Sequence, residues 1–334
     1  MIVNTGMRTD IPAYYSKWLI RRIREKYVLV RNPYFPRQVT RFRLTPDVVD
    51  CLAFCTKNPQ PMLGHLEELR NFHQFWFVTI TPYGKEIEPH VPDKRVVIAS
   101  LRTLSDALGR QAVSWRYDPV FLSEKYSVSF HIAAFEKMCE ALCGYVDQCV
   151  ISFIDLYEKT KRNFPGVCNV PESERLEIGR EFARIGASYG IRIRSCCEGT
   201  HLCQFGIDVS GCMTREILEH AIGMEIRVPA GKKTQRDGCG CLLGSDIGAY
   251  NTCGHGCIYC YANENRELVR QNMREHYKFN QPIVKDKTII LENDGVCSGI
   301  RDIFKNRIPK CSSTTSVMSS PGFLPDSTKR VRPR

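Results

Sequence analysis

Three cysteines, Cys253, Cys257 and Cys260, stand in the stretch NTCGHGCIYCYANENRE with the pattern C-x3-C-x2-C, interleaved with Gly254 and Gly256. In a reducing compartment, thiols packed this densely are read as metal or cluster ligands before they are read as disulfides. A 4Fe-4S cubane takes one thiolate per iron, so a loop with three thiolates leaves one iron open to another ligand. The two glycines can take positive φ, which lets backbone amides approach the sulfides. Tyr259, just before the last cysteine, offers an aromatic face beside the cluster. His255 is either a further ligand or a local support for the loop.

More thiols are expected nearby. Cys196 or Cys197 at a strand end, Cys212 in DVSGCMT, and the C-x-C pair Cys239 and Cys241 would complete an auxiliary 4Fe-4S cluster, with Cys203 in reserve. A zinc module is the main alternative, pairing Cys239 and Cys241 with Cys257 and Cys260 in a tetrahedral four-thiolate site on a nucleic-acid-binding protein. A second alternative uses the clusters only for electron transfer, or as structural iron in a DNA-repair protein. Cys51, Cys55, Cys139, Cys143 and Cys149 have periodic apolar neighbours and are expected in the core.

The elements that position these residues are legible as alternation. Short apolar runs (MIVNT, DCLAFCT, FWFVTITP, AVSWRYDP, CVISFIDL, GIRIRSC) are separated by segments of helical length and spacing at residues 11–27, 62–73, 93–109, 127–145 and 172–190. Near-continuous apolar strands between helices imply a parallel sheet covered by helices. Six such units predict an α/β fold, a (β/α) barrel or partial barrel, with the doubly wound sheet as the alternative. A helix is expected at 262–278.

In a barrel the active site lies at the C-terminal ends of the strands. The residues there are polar: Arg8 and Asp10, Lys57 and Asn58, Tyr83, then Arg116, Tyr117 and Asp118, Asp155, and finally Cys196, Cys197 and Glu198. Asp10 and Asp118 also suit helix caps or turns beside Pro12 and Pro119.

The 334 residues, 43% of them hydrophobic, suffice for one large domain with an appendage. The expected divisions are barrel units over 1–228, the Cys-rich loop and its helix packed on the barrel over 229–280, an extension over 281–311 and a disordered tail over 312–334. The start MIVNTGMRTDIP has no secretory pattern and no apolar run approaches a membrane span, so a soluble, cytoplasmic protein is expected, with no membrane partner. The formal net charge is +11, with nine Lys or Arg and one acid between Lys17 and Arg43. Such a run is a solvated face or a contact for an anionic substrate, nucleic acid or a phosphorylated metabolite.

The cysteine loop, C-x3-C-x-aromatic-C, resembles the cluster motif of the radical S-adenosylmethionine superfamily. That resemblance implies that Cys253, Cys257 and Cys260 hold a 4Fe-4S cluster whose open iron binds S-adenosyl-L-methionine. It also implies that a reductant such as ferredoxin or flavodoxin supplies the electron that yields a 5′-deoxyadenosyl radical. Arg8, Lys57, Asn58 and Tyr259 are then candidates for binding the cofactor, and Asp10, Arg116 and Asp118 for catalysis. The superfamily carries its motif near the first barrel strand, followed by a Gly-Gly-Glu segment. Here the motif is in the last quarter and no such segment follows, so a circularly permuted barrel is expected. Across residues 1 to 265 the stretches RTDIPAYY, YVLVRNP, TKNPQPML, WRYDP and CGCLLGSDIGAYNTCGHGCIYCYAN resemble the family called domain of unknown function 1848. That resemblance implies a C-terminal cysteine cluster of the same kind and names no substrate.

Overall fold

The computed structural model describes residues 1–227, 239–242, 244–279 and 289–293. In chain order the strands are β1 (Ile2–Asn4), β2 (Tyr27–Arg31), β3 (Gln38–Arg43), β4 (Cys51–Thr56), β5 (Gln74–Thr79), β6 (Val113–Val120), β7 (Gln148–Phe153), β8 (Arg192–Ser195), β9 (Ser245–Asp246) and β10 (Ile289–Asn293). The helices are α1 (Ile11–Tyr14), α2 (Ser16–Glu25), α3 (Gln60–Leu63), α4 (Lys94–Leu108), α5 (Val128–Leu142), α6 (Glu158–Asn163), α7 (Glu172–Ser188), α8 (Arg215–Ile222) and α9 (Arg266–Phe279).

Seven strands make one parallel sheet in the order β8-β7-β6-β5-β4-β1-β9. All six expected strands are in it, and successive units lie side by side. Among the described residues the ladder runs from β8 to β9, and no pairing joins those two. The observed class is therefore α/β with a seven-stranded parallel sheet.

The sheet buries both faces because strand side chains alternate. Val3, Leu52, Phe54, Trp76, Val78, Trp115, Tyr117, Ile151 and Phe153 belong to the large core beneath the helices. There Phe135 of α5 stacks on Phe182 of α7 at 3.8 Å between ring centroids. Each such buried side chain contributes roughly 1.5–3 kcal/mol. The opposite, inner face carries Ile2, Cys51, Ala53, Phe75, Phe77 and Val150, covered by Met213 and by Ile217 and Leu218 of α8. Thr214 fixes the start of α8 by accepting from the Ile217 amide.

Several sequence expectations change. The helix expected over 11–27 breaks at Tyr15 into α1 and α2, and Lys26 in the left-handed region ends α2. Residues 27–43, given no element at the sequence level beyond Tyr27 at the end of the expected helix, form the antiparallel hairpin β2–β3, with β10 added parallel to β3. The segment 62–73 holds only the end of α3 and a 3-10 turn at Leu66–Leu69. Tyr117, expected at the rim, points instead into the helix-covered core, where its hydroxyl meets His131 Nδ1 at 2.8 Å. Cys143, expected in the core, is exposed because it caps the end of α5.

The basic run lies on α2 and the hairpin, whose tip exposes Tyr34 (80%) and Phe35 (67%). No described helix is long and apolar enough to cross a membrane. Apart from β10, the expected extension and tail lie outside the described residues.

Candidate metal centre

β9 ends at Asp246, and the chain then crosses the C-terminal edge of the sheet as the loop of Cys253, Cys257 and Cys260. Many bonds hold this loop. Tyr15 donates its hydroxyl to the Thr252 carbonyl at 2.6 Å, and the His90 amide donates to the His255 carbonyl at 3.0 Å. The Ile258 amide donates to Ile87 at 3.1 Å, and Asn263 Nδ2 to the Cys253 carbonyl at 2.9 Å. Gly256 has φ 69°, open to glycine at little cost. Gly254 presses on Tyr14, where an added Cβ would lie 2.7 Å from the ring.

The loop is keyed to the first strand by Asp10. Its Oδ1 accepts from the Ala13 amide (3.0 Å), capping α1, while Oδ2 accepts from the Lys57 amide (2.8 Å) and from His255 Nε2 (2.8 Å). His255 Nδ1 faces the Tyr14 hydroxyl at 3.1 Å. With an acceptor at Nε2 and a hydroxyl at Nδ1, both ring nitrogens are engaged, so the imidazole supports the loop and offers no free lone pair to a metal. Asp10 fills the cap role and ties three rim segments together.

The thiols sit in one electrostatic neighbourhood. Burial pushes Cys253 well up, and Asp10, Cys260 and Cys257 add to that shift. Burial likewise pushes Cys257 up to about 12, opposed by the Lys57 charge. Cys260 is raised by burial, although the Ala262 amide donates to its sulfur at 3.3 Å. Metal-free, all three are neutral thiols at neutral pH, and a cluster or ion binding there would release their protons. The loop's own donors, three half-buried thiols, suit a thiophilic metal or cluster.

Beside them lies a buried carboxylate that the sequence did not mark. Glu88 is 1% exposed and accepts from Lys57 Nζ (2.8 Å), Thr81 Oγ1 (2.7 Å), Lys94 and the Tyr259 hydroxyl. Burial favours its neutral form, but the Lys57 and Lys94 charges prevail and hold it at about 2. Tyr259 is thereby fixed, with Lys57 Nζ 5.6 Å from its ring centroid. Only its place after a strand could have suggested Glu88, since YGKEIEPH carries no motif.

The remaining candidates lie along the same edge. Arg8 Nε pairs with Asp246 Oδ1 at 2.9 Å, joining β1 to β9. The Asn58 amide donates to Thr56 Oγ1 at 2.9 Å, while its Oδ1 is buried with no protein partner. Arg116 pairs with Asp118 at 2.9 Å, and Ser152 donates to the other oxygen of Asp118. Asn4 Nδ2 and Ser114 Oγ, both on the inner face, are likewise buried without a protein partner. Glu198 accepts from the Phe153 amide at 2.9 Å, and burial pushes its carboxyl up to about 7.

The second set of cysteines is assembled in two overlapping groups. Cys196, Cys212 and Cys241 form one and Cys196, Cys197 and Cys239 the other, with all sulfurs of each group within 4.8 Å of one another. Cys196 and Cys197, offered as alternatives in the sequence, thus stand together in one group. Among the described residues Cys253, Cys257 and Cys260 form no group this close, and neither do Cys239 and Cys241 with Cys257 and Cys260, the four of the alternative zinc site. Cys203 is exposed and outside both groups.

The family model for domain of unknown function 1848 matches residues 2–262, which span the whole parallel sheet and end just past Cys260. The chain belongs to this family. No curated protein matches it. In this member of the domain of unknown function 1848 family, the cysteines grouped closely enough to hold a metal ion, among the described residues, are those of the inner face.

Proposed function

We propose that this protein is a radical S-adenosylmethionine enzyme, with a 4Fe-4S cluster held by Cys253, Cys257 and Cys260 and one iron left without a protein ligand. The observation that carries the reading is the engagement of both His255 nitrogens by Asp10 and Tyr14, which leaves the loop three thiols as its donors. When bound, such a cluster supplies the electron that cleaves S-adenosylmethionine to a 5′-deoxyadenosyl radical.

Strand order supports the same reading. β9 leads into the loop and lies beside β1, so counting from β9 places the motif after the first strand, as a permuted barrel requires. A barrel is further favoured by the steps from β8 toward β9. Arg194 bridges to Asp208, the Leu242 amide donates to the Met213 carbonyl at 2.8 Å, and Cys196 reaches Cys241.

In this account Asp10 and His255 are positioning residues for the loop. Lys57 favours thiolate at Cys257 through its charge, and Tyr259 shields one side of the cluster from water. Arg8, Asn58, Lys57 and Tyr259 line the place of S-adenosylmethionine. Arg116 and Asp118, deeper on the inner face, meet the substrate. The basic hairpin, with Tyr34 and Phe35 exposed at its tip, favours an anionic substrate whose rings stack on exposed aromatics, as nucleic-acid bases do. Electron paramagnetic resonance of the anaerobic, dithionite-reduced protein tests the cofactor assignment. A 4Fe-4S signal that changes when S-adenosylmethionine is added is expected, and a signal indifferent to it contradicts the reading.

A further inference from the structure

Cys212 Sγ lies 3.5 Å from Cys241 Sγ, and Cys196 Sγ lies 4.0 Å from Cys241 Sγ. Four sulfurs bound at about 2.3 Å around one tetrahedral ion stand about 3.8 Å apart. The observed spacings match that edge. A cubane places each ligand on a separate iron and needs a wider frame.

The surroundings suit thiolates. The amides of Cys212 and Met213 both donate to Cys241 Sγ, at 3.2 and 3.3 Å, and Arg116 Nη1 lies 3.6 Å from Cys212 Sγ. A four-thiolate site on a divalent ion carries two net negative charges, which such donors and one guanidinium stabilise. Backbone packing is equally tight. A Cβ at Gly211, where φ is 131°, would lie 3.0 Å from Cys241 Sγ, and one at Gly240 would lie 2.3 Å from the Ser210 carbonyl oxygen.

We propose that Cys196, Cys212, Cys241 and Cys239 bind a single tetrahedral zinc-class ion that fastens the end of β8 to the chain leading into β9. Cys239 groups with Cys196 and Cys197 but not with Cys212 and Cys241, so it becomes the fourth ligand by turning its side chain toward Cys241, one residue removed, whereas Cys197 would have to share the ion with its direct neighbour. The site joins the two edge strands of the sheet through metal-sulfur bonds in place of a ladder. It is independent of the cluster at the loop.

The test uses the full-length chain with Cys253, Cys257 and Cys260 all changed to Ala, purified without added metal. About one zinc, or one iron with no acid-labile sulfide, per chain is expected, with its loss on adding Cys212→Ser. Iron and sulfide in equal, multiple amounts would overturn the single-ion site in favour of a cluster, and so would a metal-free protein with freely titrating thiols. Should the triple variant fail to fold, X-ray absorption at the zinc edge of the unaltered protein decides. Four sulfur neighbours at about 2.3 Å support the site, and nitrogen or oxygen neighbours overturn it. Failure of S-adenosylmethionine cleavage would leave either outcome standing.

Discussion

Asp10 Oδ2 and His255 Nε2 lie 2.8 Å apart although 245 residues separate them, and both side chains are buried. This contact joins the cap of the first helix to the centre of the cysteine loop. Asp10→Ala removes a helix cap, worth about 1 kcal/mol, and leaves His255 Nε2 and the Lys57 amide without their acceptor, each costing about 1–3 kcal/mol. His255→Ala should leave the sheet folded, by far-ultraviolet circular dichroism, while loop-bound iron falls several-fold. Full iron retention in both variants would remove this contact from the account.

Gly254 makes a sharper test of the loop. Its substitution by Ala drives a methyl into the Tyr14 ring, so Gly254→Ala should lose metal, and Gly254→Ala with Tyr14→Ala should regain part of it. Iron content of the two variants, compared after identical reconstitution, decides the point. No recovery in the double variant means that the clash is not what matters.

Glu88→Gln leaves the half-buried Lys57 and Lys94 without their buried carboxylate and should cost about 3 kcal/mol in urea unfolding. The folded-state pKa of Glu88 is depressed from 4.5 to about 2. Its contribution is therefore present above pH 4.5 and is lost as the pH falls toward 2. The variant should lack that acid-dependent loss, and identical acid profiles would contradict the assignment.

His131 predicts a second pH effect in another window. Burial lowers its pKa from 6.5 to about 4, with Nε2 2.9 Å from the Phe121 carbonyl and Nδ1 held by Tyr117. The unfolded chain binds the proton first, so stability falls as pH drops from 6.5 toward 4, by about 3 kcal/mol in total. Denaturant midpoints of His131→Gln should be flatter across that range than those of the unaltered chain.

The parallel sheet was legible because each of its long strands is a nearly unbroken apolar run, as burial on both faces demands. The hairpin was hidden by the basic residues around it, although Val28 and Val30 alternate inward and Phe42 pairs with Val28 on the same face. The three-cysteine loop announced itself by spacing. What it rests on did not: Glu88 belongs to no motif, and Asp10 reads as a plain cap until His255 is brought to it. The inner-face cysteines were visible as a crowd, but their division into two groups sharing Cys196 depends on how β8 meets the chain before β9.

The most direct measurement is anaerobic S-adenosylmethionine cleavage by the reconstituted, dithionite-reduced protein, with 5′-deoxyadenosine quantified beside iron and acid-labile sulfide. The account predicts 5′-deoxyadenosine from the unaltered chain and none from Cys257→Ala, which should retain its circular dichroism spectrum. An intact 4Fe-4S cluster at the loop with no cleavage, or cleavage that persists in Cys257→Ala, would contradict it.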